Sequence, residues 1–205
     1  LVIVLDRSGS MGSPVAGSRF TQQEVANEAA VLALSSLFPQ DLVGVLAFDD
    51  GHGWVVELQP NNQPQRTAKF VRSIHPGGGT NIYPALKEAY TALNKLDPED
   101  AAIRHIILLT DGQSAPGDYD KVVQRMVSAG ITMSTVGVGD HVDNNLLGSL
   151  AAATGGNYYP VPDPNKLPQI FIKEARTIRK SLIREQPFTP QLRSTGSPIM
   201  TGINA

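Results

Sequence analysis

The chain has 205 residues, of which 41% are hydrophobic and 18% charged, as is typical of a folded globular chain with one large domain. Its formal net charge of −2 gives no indication of binding to nucleic acid or to an anionic membrane. The absence of cysteine excludes disulfides and thiolate metal sites, and no apolar stretch approaches the ~20 residues of a membrane span. The four histidines are scattered without metal-binding spacing, so no zinc site is expected.

Apolar strand-like runs alternate with amphipathic helical patterns, which is typical of βαβ units around a parallel sheet. The third run follows the second after a short turn, so it is predicted to be an antiparallel edge strand. Helices are expected on both faces of a doubly wound sheet. The predicted strands are 1–5, 42–48, 54–58, 103–110, 131–138 and 157–160, and the predicted helices are 21–37, 65–74, 83–96, 119–129, 144–153 and 166–183.

The first strand ends in a run of oxygen-bearing side chains. Five apolar residues, Leu1–Leu5, are followed by Asp6 and then by Ser8 and Ser10 at alternate positions. A continuous apolar run indicates a strand buried on both faces, and parallel sheets of this kind bind ligands beyond the carboxyl ends of their strands. One carboxylate with two hydroxyls is an all-oxygen set, which suits a hard cation such as Mg²⁺ or Mn²⁺.

Two later segments add to this set. The glycine-rich loop 76–82 carries Thr80 at the start of a helical pattern, and the apolar strand 106–110 is followed by Asp111 and a glycine. The order Asp6-x-Ser8-x-Ser10, then Thr80, then Asp111 resembles the metal-ion-dependent adhesion site (MIDAS) of von Willebrand factor type A (VWA) domains. The resemblance covers residues 1–182 and is greatest to VWA domains of bacterial membrane-anchored proteins.

The resemblance implies an α/β fold: a three-layer, Rossmann-like, doubly wound sheet of about six strands, mostly parallel with one antiparallel edge strand. It implies a VWA domain over residues 1–184, with 185–205 as a linker or lead-in to a further domain of a longer, membrane-anchored bacterial parent. We expect no direct membrane insertion of this piece, and the oligomeric state, the native metal and the partner's identity stay open. The implied metal ligands are Ser8, Ser10 and Thr80 directly, with Asp6 and Asp111 direct or through water.

By the same resemblance, the expected function is a non-catalytic, divalent-cation-dependent protein–protein interaction. The ion is expected to be Mg²⁺ or Mn²⁺, with Ca²⁺ less favoured, and a partner's Asp or Glu would complete its coordination. Residues in the surrounding loops are candidates for partner contacts. These are Arg7, Met11, Asn81, Tyr83, Gln113 and Ser114.

Other interpretations were open from the sequence. Asp6 or Asp111 alone is typical of a helix cap or turn, but two carboxylates held close would raise each other's pKa, a conflict that a cation removes. A Mg²⁺-dependent phosphoryl hydrolase is the alternative enzyme, although Ser8 stands where such enzymes keep a second Asp. A regulatory partner of an AAA⁺ ATPase is a further alternative. A phosphate-binding loop is disfavoured because no Gly-Lys-Ser/Thr follows the glycines.

Three expectations concern the rest of the chain. Asp49 and Asp50, on the same rim of the sheet, are equally compatible with solvated turn acids and with a role in tuning the site. The basic residues of the last helix are expected on a solvated face, with Glu174 and Glu185 interspersed among them; they are Lys173, Arg176, Arg179, Lys180 and Arg184. In some relatives the final helix shifts when the ion's ligand changes, and the segment 166–184 would be its counterpart here.

Overall fold

The computed structural model describes residues 1–97, 101 and 103–180, with side chains through residue 176. Within these ranges the chain forms six strands and six α-helices. The strands are β1 Val2–Asp6, β2 Leu42–Phe48, β3 His52–Pro60, β4 Arg104–Thr110, β5 Ile131–Val138 and β6 Tyr158–Val161. The helices are α1 Gln22–Ser35, α2 Pro64–Arg72, α3 Ile82–Asn94, α4 Tyr119–Ser128, α5 Asn144–Thr154 and α6 Leu167–Lys180.

The six strands form one sheet in the order β3-β2-β1-β4-β5-β6. Neighbouring strands are parallel except β3, which runs antiparallel to β2 at one edge. This confirms the predicted α/β fold with a mostly parallel sheet and one antiparallel edge. The strand β1 lies in the centre, where parallel neighbours on both sides shield it from solvent.

Each face of the sheet is covered by its own apolar cluster. On one face, Ile3 and Leu5 of β1 pack with residues of α1, α2 and α6. On the other face, Val2 and Val4 pack with residues of α3, α4 and α5. Because successive side chains of a strand point to opposite faces, two covered faces require an apolar residue at every position. This explains the uninterrupted apolar run that precedes Asp6.

The structure differs from the predicted elements at exposed ends. The strand β3 begins at His52 instead of residue 54, because the pairing of His52 with Phe48 extends the ladder almost to the turn. The turn therefore contracts to residues 49–51, where Gly51 N donates to Asp49 Oδ1 at 2.8 Å. The helix α6 starts at Leu167, after a short 3-10 turn over Pro164–Lys166. The predicted linker 185–205 and the helix beyond residue 180 lie outside the described residues.

Glu174 corrects the expectation for the last helix. Glu174 is 3% exposed, whereas Lys173 and Arg176 beside it are exposed as expected. Glu174 faces the sheet, and its Oε2 accepts a hydrogen bond of 2.6 Å from the hydroxyl of Tyr159 on β6. A buried carboxylate is tolerated here because polar groups of the sheet satisfy its oxygens.

Among the described residues, no helix combines the length and the apolar character that crossing a membrane requires.

Candidate functional site

Asp6 is fixed at the carboxyl end of β1 by two donors. Since β1 and β4 are parallel neighbours, the ends of both strands meet at the same edge of the sheet. Thr110 Oγ1, the last residue of β4, donates to Asp6 Oδ2 at 2.5 Å, and Ser8 N donates to Asp6 Oδ1 at 2.7 Å. The side chain of Asp6 is fully buried. Its orientation is therefore set by both strands.

The hydroxyls of Ser8 and Ser10 converge on Asp111, which follows β4. Ser10 Oγ donates to Asp111 Oδ1 at 2.7 Å, and Ser8 Oγ lies 3.5 Å from the same oxygen. The two hydroxyl oxygens are 3.0 Å apart. A 3-10 turn over Gly9–Gly12 directly follows Ser8 and bends the chain there. Side-chain oxygens from the ends of two strands are thus gathered within hydrogen-bonding distance.

Thr80 reaches the same edge on the glycine-rich loop. Gly77 N donates to Arg7 O at 2.7 Å, and Gly9 N donates to Gly78 O at 2.9 Å, so the loop lies against the chain that follows β1. A Cβ atom built on Gly112 would stand 3.4 Å from Thr80 Oγ1. The hydroxyl of Thr80 therefore lies beside the residue that follows Asp111.

The carboxyl groups of Asp6 and Asp111 both have raised pKa values, so a nearby positive charge would favour their ionised forms. Burial raises the pKa of Asp6 to about 6; the bonds from Thr110 and Ser8 oppose this rise, and the nearby Asp111 adds to it. Burial also raises the pKa of Asp111, against the bonds from Ser10 and Ser8 and the charge of His141. Burial, more than mutual repulsion, is thus the main cause, and a bound cation would compensate for it.

The donor chemistry fits a hard divalent cation. The cluster combines two carboxylates with three hydroxyls, which are oxygen ligands of the kind that Mg²⁺ and Mn²⁺ prefer. Across the described part of the chain, no group of three or more His, Cys, Asp or Glu side chains comes together as a metal site. An ion at this edge would meet the hydroxyl oxygens of Ser8 and Ser10 beside the carboxylate of Asp111.

An open cleft of about 530 Å³ adjoins Ser10 and Asp111. It separates the start of α1 from the loop between β5 and α5. Most of its lining residues are polar by type, so a partner segment lying here would meet hydrogen-bonding groups. The lining includes Ser13, Gln22, Gln113, Gly139, Asp140 and His141.

The loop residues expected to contact a partner have diverse environments. Gln113 is exposed and lines the cleft, and the side chain of Arg7 is 40% exposed while its Nε lies 2.9 Å from Asp49 Oδ2. Ser114 is half-buried, and its Oγ accepts a bond of 3.0 Å from Ile82 N. Two further candidates, Asn81 and Tyr83, are also half-buried.

Met11 corrects one of these expectations. Its side chain is fully buried and belongs to the apolar cluster beneath α1 and α6. The 3-10 turn over Gly9–Gly12 directs it towards the interior although its neighbours in sequence are polar. Met11 therefore packs in the core under the loop that follows β1, and it is not accessible to a partner.

Two further residues contribute to the site: Thr110 was missed from the sequence, and the role of Asp50 was left open. Thr110 reads as the end of an apolar strand, yet it orients Asp6; its hydroxyl beside Asp111 was the available signal. Asp50, whose role was left open, accepts a bond of 2.9 Å from Gly79 N through Oδ2. That contact joins two loops that are distant in sequence, and no local sequence pattern predicts it.

The sequence profile of the von Willebrand factor type A domain matches residues 1–173. The chain belongs to the VWA family. A relative from Synechocystis, the uncharacterized protein sll0103, is 31% identical over 175 residues, covering 83% of this chain and 39% of its own length. The chain therefore spans well under half of that relative.

Solved structures of other proteins share the fold. The von Willebrand factor type A protein from Catenulispora acidiphila is 27% identical with a TM-score of 0.75, covering 85% of this chain and 41% of its own. An aerotolerance-related membrane protein from Bacteroides fragilis is 20% identical with a TM-score of 0.70, covering 86% and 98%. Proximal thread matrix protein 1 from the mussel byssus, solved with a zinc-occupied MIDAS motif, is 18% identical with a TM-score of 0.70, covering 86% and 44%.

Proposed function

We propose that this VWA domain is a non-catalytic interaction module that binds an Asp or Glu side chain of a protein partner in a divalent-cation-dependent manner. The observation that carries the proposal is the convergence of Ser8, Ser10 and Asp111 oxygens beside the buried carboxylate of Asp6. The zinc-occupied MIDAS of the byssus protein supports it, since that protein has the same fold. Mg²⁺ or Mn²⁺ is the proposed ion.

The proposed ligands are Asp6, Ser8, Ser10, Thr80 and Asp111. The hydroxyls of Ser8 and Ser10 now donate towards Asp111, and rotation of their O–H bonds would turn oxygen lone pairs to a cation without moving the backbone. Thr110 keeps Asp6 in place during this change. When bound, the cation supplies an electrophilic position that a partner's carboxylate can occupy.

The partner contacts are proposed to come from the rim of the site. Gln113 is the exposed candidate and the side chain of Arg7 is 40% exposed, whereas Asn81, Tyr83 and Ser114 are half-buried and offer less surface. The similarity to a bacterial membrane protein supports a membrane-anchored bacterial parent for this domain.

Calorimetric titration of MgCl₂ and MnCl₂ tests the metal site. We expect saturable binding to the wild type, no detectable binding to Asp111→Asn, and weakened binding to Ser10→Ala. Ser128→Ala is the matched control, because its hydroxyl bonds Gln124 O within α4. A folded wild type that binds neither ion would contradict the proposal.

Selection from a phage-displayed peptide library tests the partner chemistry. With Mg²⁺ present and elution by EDTA, we expect the recovered peptides to be enriched in Asp and Glu, and Asp111→Asn to recover none. Peptides that lack acidic residues, or that stay bound in EDTA, would show that recognition does not use a carboxylate on a metal.

A further inference from the structure

The turn between β2 and β3 holds the backbone on both sides of Thr80. Gly79 N, directly before Thr80, donates to Asp50 Oδ2 at 2.9 Å. Asn81 N, directly after it, donates to Asp49 O at 2.9 Å. Two consecutive residues of one turn therefore bracket the proposed ligand.

The turn is itself rigidly held. Asp49 N donates to Gly51 O at 2.9 Å, and the Asp49 side chain accepts from Gly51 N. The other carboxylate oxygen of Asp49 lies 2.9 Å from Arg7 Nε, and Arg7 N donates to Phe48 O at 2.8 Å. Arg7 stands between Asp6 and Ser8 in the chain. The turn thus connects the loop of Thr80 to the loop of the other ligands.

Glycine at positions 78 and 79 leaves room for the carboxylate of Asp50. A Cβ atom on Gly79 would lie 2.4 Å from Asp50 Oδ1, and one on Gly78 would lie 2.9 Å from Asp50 Oδ2. Gly78 also has a φ of +79°, which side chains rarely adopt. The carboxylate is therefore packed directly against backbone that only glycine can provide. Asp50 is exposed, so this bond joins the two loops at the surface of the protein.

The opposite side of Thr80 is held by the loop after β4. Ala115 N donates to Thr80 O at 3.0 Å, and Ile82 N donates to Ser114 Oγ at 3.0 Å. Against these fixed contacts, the bond to Asp50 sets the position of the peptide that leads into Thr80. Loss of that bond would leave the peptide between Gly78 and Gly79 with the bond that Gly78 O accepts from Gly9 N, in a backbone that glycine makes permissive.

We propose that Asp50 is a positioning residue: its carboxylate fixes the glycine loop so that the hydroxyl of Thr80 stands where the cation binds. Asp50 acts through the backbone and does not itself bind the ion. The inference rests on the metal site proposed above. It adds Asp50 as the residue that holds the loop of Thr80 in position for metal binding.

The test compares Asp50→Ala with Asp50→Asn in calorimetric titrations of MgCl₂ and MnCl₂. The alanine variant loses the acceptor of the Gly79 amide, and we expect Mg²⁺ affinity to fall about tenfold or more, as for groups that orient metal ligands. The asparagine variant keeps an acceptor oxygen of the same shape and is expected to retain most of the affinity. Glu57→Ala, which removes an exposed acid from β3 of the same hairpin, should leave it unchanged.

Amide hydrogen exchange of the metal-free variants supplies a second readout. Faster exchange at Gly79 and Asn81 in Asp50→Ala alone is expected. Equal losses of affinity in the alanine and asparagine variants would mean that only the charge of Asp50 matters, and this would overturn the inference. Unchanged affinity in Asp50→Ala would overturn it as well, with the proposed function intact. Absence of binding to the wild type would instead remove the proposed function and this inference together.

Discussion

Ser134 Oγ donates a hydrogen bond of 2.5 Å to Glu174 Oε1 and thereby joins β5 to α6 beneath the sheet surface. The second oxygen of Glu174 accepts from Tyr159 OH, and His105 Nε2 lies 3.5 Å from Oε1. Strands β4, β5 and β6 thus each contribute one polar group to a single carboxylate. These four residues, the Glu174 cluster, fix α6 on the sheet by directional bonds as well as by apolar contact.

Replacement of Glu174 by Ala is expected to destabilise the fold. It would leave the buried hydroxyl of Ser134 and the half-buried hydroxyl of Tyr159 without their acceptor, which costs about 2 kcal/mol of unfolding free energy. Urea unfolding measures this difference. Arg176→Ala, on the exposed side of the same helix, is the control and should change the free energy by less than about 0.5 kcal/mol. Similar effects of the two substitutions would show that the cluster contributes little.

His105 should make stability fall in mild acid. Burial lowers the pKa of His105 to about 4, although the charge of Glu174 opposes the shift. An unfolded histidine titrates near pH 6.5, so between pH 6.5 and 4 the unfolded chain binds more protons than the native one. The contribution of His105 is therefore complete above pH 6.5 and is lost by up to about 1.4 kcal/mol per pH unit as the pH falls.

The measurement is the difference in unfolding free energy between wild type and His105→Gln at pH 7 and pH 5. A difference is needed because Asp6, whose raised pKa is about 6, has the opposite effect in the same range of the metal-free protein. The advantage of the wild type should shrink at pH 5. A difference for His105→Gln that stays constant between pH 7 and pH 5 would refute the assignment.

Two glycine-to-alanine substitutions should have opposite effects. A Cβ atom on Gly156 would lie 2.0 Å from Met133 O, a backbone atom inside the sheet, so Gly156→Ala should cost more than about 2 kcal/mol. Gly148 is in α5, where a Cβ atom would meet only Tyr158 at 3.7 Å. Gly148→Ala should stabilise by about 0.5–1 kcal/mol through helix propensity. Thermal unfolding measures the change in stability of each variant. Changes of the same sign in both variants would contradict the packing described.

Thr110→Val is expected to weaken metal binding without removing a ligand. Valine keeps the shape of threonine but loses the bond to Asp6 Oδ2, so the carboxylate is no longer oriented and Mg²⁺ affinity should drop about tenfold or more. Thr135→Val is the control: it removes a buried bond to Leu147 O, outside the site. It should lower stability by about 1 kcal/mol and leave the affinity unchanged. Calorimetry should separate the two variants.

The sequence predicted elements best where both faces of a strand are buried. The bounds of β2 and β5 are those predicted, because each strand begins and ends with an apolar residue and is buried along nearly its whole length. At the sheet edge, β3 extends to His52 because His52 pairs with Phe48. The first residues of this strand are exposed, so the hydrophobic pattern does not predict that extension. For the site, the strand order accounts for the meeting of Asp6 and Asp111. The contact of Asp50 with Gly79 depends on the approach of two loops, which no local spacing encodes.

The two outer strands also bear on self-association. At one edge, β6 has only four residues and includes Pro160, which has no N–H to offer another strand. At the other edge, β3 ends in Pro60, and its pairing with β2 is irregular around Val45. Neither edge presents a long straight ladder, so sheet extension between copies, a common route to aggregation, is disfavoured at both sides.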